Sequence, residues 1–181
     1  MPASYKNLFP DWGNEKSRMG GIAQTIYLIP VGDIETWASP AVNAAGEAKF
    51  VHSVPFVPKT DKGFLKAYVT PTTGELSMPA IGGRDGGGFD ASVKIFIPGN
   101  DVYLNYIANV AQSDVFIALI PDNDGTTINQ IGDASHFCHL KLGYKTDTED
   151  AEHGKGYEGE ITAKVPHKYL YTAAIPLKPA T

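Results

Sequence analysis

The chain has 181 residues, enough for one domain of ordinary size with its own core. Hydrophobic residues make up 43% and charged residues 19%, which excludes a wholly disordered chain, and charges and prolines interrupt the apolar runs too often for a membrane-spanning helix. The formal charge of −5 leaves no basic field to gather duplex nucleic acid by counterion release.

Residues 1–21 carry Pro2, Pro10, Gly13, Gly20 and Gly21 without sustained periodicity, and read as an extended N-terminal arm ordered by whatever it packs against. Its aromatics Tyr5, Phe9 and Trp12 are costly to leave in water, so they are candidate subunit-interface anchors. Lys6, Asp11, Glu15, Lys16 and Arg18 break any apolar stretch of a secretory signal, so synthesis in the cytosol is expected. Residues 22–181 then read as a single β-rich domain. Ile22 to Val31 holds the continuous apolar run Ile26-Tyr27-Leu28-Ile29, ended by Pro30 and Gly32, the pattern of a strand buried on both faces. A long loop at 38–63 follows, rich in proline and glycine, which either holds a hairpin or reaches outward to bind a neighbour. Its apolar residues Phe50, Val54, Phe56 and Val57 join the interface candidates.

Phe64 to Thr70 is expected to pair with Glu75 to Ala80 across the turn Pro71-Thr72-Thr73-Gly74. Phe89, Ala91, Val93, Ile95 and Ile97 alternate with Asp90, Ser92 and Lys94, which predicts a half-buried strand. Asn100 or Asp101 caps a helix over about residues 101–112, with Leu104, Ile107, Val110 and Ala111 at helical spacing toward the sheet. Asp114 to Pro121 is another buried strand, and Asp122-Asn123-Asp124-Gly125 turns the chain back into Thr126 to Ile131. Three further strands, His136 to Lys145, Tyr157 to Val165 and Lys168 to Ile175, complete the pattern. The expected fold is mainly β, an antiparallel β-sandwich or partly closed barrel of about eight strands with one flanking α-helix.

Motifs for chemistry are weak. The glycine run 82–88 leads into a strand rather than a helix N-terminus, so it does not form a phosphate cradle. The Asp122–Asp124 turn resembles the start of a Ca²⁺ loop but lacks its closing glutamate, leaving a hairpin turn with at most an adventitious cation. His136, Cys138 and His139 are metal-capable; on a strand, however, His136 and Cys138 share one face while His139 takes the other, and no second pair follows at ligand spacing. The single cysteine forms no internal disulfide, and no nucleophile elbow or zincin helix is present. No catalytic, cofactor-binding or metal residue is therefore assigned, and a non-enzymatic protein is expected. The strongest charge bias lies in residues 146–160, where Asp147, Glu149, Asp150, Glu152, Glu158 and Glu160 face only Lys155. Its net charge equals that of the whole chain. Asp147, Glu149, Asp150 and Glu152 mark an acidic loop suited to a lumen or to contact between rings.

The order of elements, with a strand at 89–97, a helix at 101–112, a hairpin at 114–131 and a C-terminal meander, resembles the tail-tube proteins of long-tailed bacteriophages. That family is related to the tube subunits of contractile injection and type VI secretion systems. The phrases Gly20-Gly21-Ile22-Ala23, Tyr27-Leu28-Ile29-Pro30, Ile97-Pro98-Gly99, Gln130-Ile131-Gly132 and Lys155-Gly156-Tyr157 are also similar to virion proteins of phages infecting Bacteroidota. The resemblance implies a virion structural protein whose partners are copies of itself in a hexameric ring, stacking into a tube, and other virion proteins. DNA would pass through the lumen without specific binding, and neither cofactor nor membrane is implied. A collar, head–tail connector or capsid decoration protein could use the same parts. A soluble β-sandwich binding module or hydrolase, with His136, His139 or Asp122 in a cleft, is the reading from a different class.

Overall fold

The computed structural model describes residues 20–83, 86–146 and 154–179. Within them the chain is mainly β, with one α-helix, as the alternation and the turn residues predict. The expected eight strands are thirteen among the described residues, because several runs break into short pieces that pair with different partners. In chain order they are β1 (Thr25–Pro30), β2 (Ile34–Thr36), β3 (Val51–His52), β4 (Val57–Pro58), β5 (Leu65–Tyr68), β6 (Glu75–Ser77), β7 (Ala80–Ile81) and β8 (Gly88–Pro98). Helix α1 (Val102–Val110) comes next, followed by β9 (Val115–Pro121), β10 (Ile128–Ile131), β11 (Cys138–Thr146), β12 (Lys155–Val165) and β13 (Tyr169–Tyr171).

Strand β9 organises the sheet. Its sequence VFIALIP is apolar on both faces, and Phe116 to Ile120 are all buried. One edge pairs antiparallel with β1, from Tyr27 opposite Leu119 to Pro30 opposite Phe116. The other edge is shared: its first residues pair with β11 and its last four with β10. The sheet therefore splits at β9. One wing runs β10, β13, β3, and the other runs β11, β12, β8 and then β6 and β7. The β3–β13 pairing is parallel, so the sheet is mixed rather than wholly antiparallel.

Two cores result, one on each face of β9. The inner core gathers Ile26, Leu28, Val93, Ile95, Phe116, Ala118, Ile120, Leu140 and Ile161. These positions alternate along their strands, as a period of two requires. Gly159 on β12 keeps this face tight, because a Cβ there would lie 2.7 Å from both Ile95 and Leu142 side-chain carbons. The outer core holds Ile29, Ile34, Phe56, Phe64, Ile117, Leu119 and Tyr171.

The long loop at 38–63 forms a strap that covers that outer core. It contains a 3₁₀ turn (Gly46–Phe50), β3 and β4, and β4 pairs with β2 in a small second sheet. The expected hairpin of 64–70 with 75–80 does not form. Its turn is present, closed by the Thr73 amide and hydroxyl on Thr70 O, but β5 pairs with β1 whereas β6 pairs with β8. The chain crosses between wings here. The Thr70 N–H donates to Phe96 O of β8 at 3.0 Å, a single bond where no β5–β8 ladder exists, so the roll stops short of a closed barrel.

Helix α1 starts where Asp101 accepts from the Leu104 amide at 2.7 Å, satisfying one of the free N–H groups of the first turn. It ends in a 3₁₀ turn (Ala111–Ser113). Leu104, Ile107, Ala108 and Ala111 meet the inner core, an i, i+3, i+4, i+7 stripe. Val110, expected in that stripe, is exposed, since it lies off this stripe, and Ala108 takes its place.

Replacing Ile117 by alanine removes apolar volume from a site with no solvent exposure between β9 and the strap. The expected loss is about 2–5 kcal/mol of unfolding free energy. A urea melt checks this, and a midpoint within error of the parent would mean that the outer core is not packed as described.

Candidate functional site

The chemically suggestive residues resolve into structural roles. Asp124 caps its hairpin: Oδ1 accepts from the Thr126 and Thr127 amides at 2.8 Å, and Oδ2 from the Thr127 hydroxyl at 2.6 Å. These bonds hold its pKa down to about 2. Asp122 differs. Burial pushes its pKa up, the Asp124 charge adds to this, and Lys168 and a 2.7 Å bond from Asn129 Nδ2 oppose it. Both aspartates line a groove of about 980 Å³ with Gly20, Glu75, Met78, Asn129 and Lys168. No group of three or more His, Cys, Asp or Glu able to hold a metal is found among the described residues.

His136 and Cys138 do not share a strand face. His136 precedes β11, in a turn where Asp133 Oδ1 accepts from the Ser135 and His136 amides and sits 2.9 Å from His136 Nδ1. The carboxylate's local bonds draw these residues out of the ladder. Cys138 points into the inner core with its thiol on Ile131 O, and burial pushes its pKa up to about 12, so it is unreactive. His139 takes the opposite, exposed face, as a strand demands. Residues 82–83 and 86–88 form a turn entering β8, with no helix N-terminus.

One buried polar group gave no sequence signal. His52 stacks on Tyr169 with ring centroids 4.5 Å apart, and its Nδ1 lies 2.7 Å from Gln130 Oε1. Gln130 Nε2 donates to Gly132 O, so its oxygen faces the histidine and His52 is held as the neutral Nδ1–H tautomer. Burial lowers its pKa, against the raising influence of Gln130 and Asp133. Seventy-eight residues separate His52 from Gln130, and only the β3–β13–β10 arrangement brings them together.

The apolar interface candidates of the loop divide. Phe56 is 2% exposed and packs on Trp37, Phe64 and Tyr171, so the chain's own outer core occupies it. Phe50, Val54 and Val57 are exposed, with Val42 beside them in sequence. Phe50 leans on His167 and Tyr169 and borders a second groove, about 720 Å³, lined by Ala41, Glu47, Ala48, Val51, Ser53, Lys168 and Leu170. Tyr5, Phe9 and Trp12 of the arm, and Asp147, Glu149, Asp150 and Glu152 of the acidic loop, lie outside the described residues.

A further surface was not anticipated. On α1, Val102, Tyr103 and Tyr106 are 88%, 61% and 58% exposed, and Val110 extends the same face. At about 100° per residue these four fall within an arc of about 100°, beside the arc that meets the core. The helix sequence VYLNYIANV has no charged residue, and its exposed polar residues are only Asn105 and Asn109, on the flank beside this apolar sector. The signal was present as the absence of charge over nine positions.

The sheet margins are blunt. Edge strands β3, β6 and β7 have two, three and two residues, and beside β5 the Phe64 amide and carbonyl bond Pro176 O and Lys178 N. Short or covered edges resist strand addition from another chain. The side-chain faces are therefore the better candidate surfaces. No family model matches the chain, nor does any curated protein or solved structure.

Acidification tests the His52 arrangement. A histidine whose pKa is lowered by folding contributes stability in full above its unfolded value near 6.5, and that stability falls as pH drops from there toward the folded value. Urea midpoints are expected to decrease from pH 7 to pH 5, and the decrease to shrink in His52→Asn. An identical pH slope in both proteins would contradict the assignment.

Proposed function

We propose that this chain is a non-enzymatic structural subunit that assembles with copies of itself. The observation that carries this reading is the pair of exposed apolar patches, one on the outer face of α1 and one on the outer side of the 38–63 strap. Exposed aromatic and aliphatic groups clustered this way mark contact sites more often than they mark solvent-facing surface. Helix α1 carries no charged residue, so its apolar sector can meet a copy of a chain of charge −5 without like-charge repulsion at the contact.

The resemblance of element order to tail-tube proteins supplies the setting: a virion component, of the tail tube by preference, whose hexameric rings stack around a DNA-conducting lumen. Collar, head–tail connector and decoration roles are variants of the same self-complementary design. The short sheet edges shift the proposed mechanism from inter-chain strand addition to side-chain faces, with the arm's Tyr5, Phe9 and Trp12 locking one ring to the next. Repetition makes modest contacts sufficient, because each subunit is held by several neighbours at once.

A binding module or hydrolase is the second reading, and one feature favours it. Asp122, its carboxyl pushed up by burial, lines a groove with Asn129, whose Oδ1 is buried and accepts no hydrogen bond among the described groups.

Sedimentation and negative-stain microscopy separate the two. The self-assembly reading expects rings or short tubes that grow with concentration, and expects deletion of residues 1–18 to weaken stacking more than thermal stability. A monomer at every concentration supports the Asp122 groove instead.

A further inference from the structure

The groove beside the 122–125 turn holds an acceptor that the fold leaves unused. Asn129, on β10, is 1% exposed and lines this groove. Its Nδ2 faces two acceptors, Asp122 Oδ1 at 2.7 Å and Ile120 O at 3.5 Å, which fixes the orientation of the amide. Its Oδ1 is buried and has no hydrogen-bond partner among the described residues. An acceptor in that condition costs stability until a donor reaches it.

Charge and shape narrow what that donor is. Glu75, Asp122 and Asp124 line the groove against Lys168 alone, so the lining is anionic on balance. Burial already pushes the Asp122 carboxyl up and the Asp124 charge adds to it, a strain that a cation beside Asp122 relieves. A hard metal ion is poorly served. Both Asp124 oxygens are taken by Thr126 and Thr127, and Asp122 with Asn129 offers fewer oxygens than Ca²⁺ takes. Ile22, Leu76 and Met78 add an apolar wall, which a bare ion would leave unused. An organic cation with an aliphatic stem uses both parts of the groove.

We infer that this groove binds an alkylguanidinium, with its stem along Ile22, Leu76 and Met78 and its head on Asp122 and Asn129 Oδ1. The inference deepens the binding-module reading above and does not depend on self-assembly. A guanidinium suits the site because its planar fork of N–H donors serves a carboxylate and an amide oxygen together, whereas an ammonium is a point charge. The groove, at about 980 Å³, also leaves room for the rest of the molecule that carries the group. That molecule is a free small compound or a peptide presenting an arginine side chain.

Titration of the full chain at pH 8 tests this, with propylguanidinium, an end-capped Gly-Arg-Gly peptide, inorganic phosphate and glucose as probes, read on the side-chain amide NMR signals of Asn129. The two guanidinium probes are expected to shift those signals saturably, and phosphate and glucose to leave them in place. Equal affinities assign a free small compound, and a tighter peptide assigns an arginine within a chain. Asp122→Asn is expected to weaken binding about tenfold. Lys168→Met, at an exposed position, is expected to strengthen it about threefold, because the lysine charge opposes the ligand. Glu75→Gln, also exposed, weakens it about twofold and stands in for Asp122→Asn if a thermal melt shows that variant unfolded. Weaker binding in Lys168→Met, or unchanged binding in the carboxylate variants, overturns the cation assignment. Saturable binding of phosphate or glucose in place of the guanidinium probes overturns the ligand class and leaves the binding-module reading standing. Asn129 signals unmoved by all four probes overturn both.

Discussion

The constraint on which the structure depends is that β9 is buried on both faces while its edges serve three strands. A strand in that position has to be apolar throughout, and each of its faces needs a cover of its own. The inner face is covered by the roll of β8, β11 and β12 with α1. The outer face cannot be covered by that roll, so another part of the chain must do it. The 38–63 strap and the C-terminal residues 171–177 take this role, with Phe56, Phe64 and Tyr171 stacking over Ile117 and Leu119.

This dependence explains why the strap is both core and surface. Its inward residues are consumed by the outer core, and Phe56 is among them. Of its other apolar residues, Val54 and Val57 face outward, and Phe50 stays partly exposed while leaning on His167 and Tyr169. Helix α1 is in the same position: its inward stripe completes the inner core, and the next sector around the helix presents two tyrosines and two valines. The helix sector has no charge to keep it solvated. The functional proposal grows from this exposed apolar side-chain surface.

The backbone, by contrast, is well finished. The turns at 122–125 and 71–74 are closed by Asp124 and Thr73, and the Thr70–Phe96 bond ties the segment after β5 to β8. His52 shows the same economy, since its buried ring bonds Gln130 through Nδ1 and stacks on Tyr169. A subunit of this kind brings a rigid frame to an assembly, and association needs no refolding of the sheet.

The amino-acid sequence by itself determined the local elements. Alternation at 89–97, the unbroken apolar run at 115–120, the Asp122–Gly125 turn and the Asp101 cap are each set by neighbours within a few residues, where propensity and side-chain period act directly. Strand pairing was decided only by the tertiary structure. The turn at 71–74 looks like a hairpin from its residues, but β6 pairs with β8 only 15 to 19 residues on, and β5 with β1 some 37 to 43 residues back. The same holds for His52 and Gln130, and for the burial of Phe56 beside exposed Val57. A one-dimensional pattern records which residues are apolar, whereas which of them face inward depends on where the rest of the chain lies.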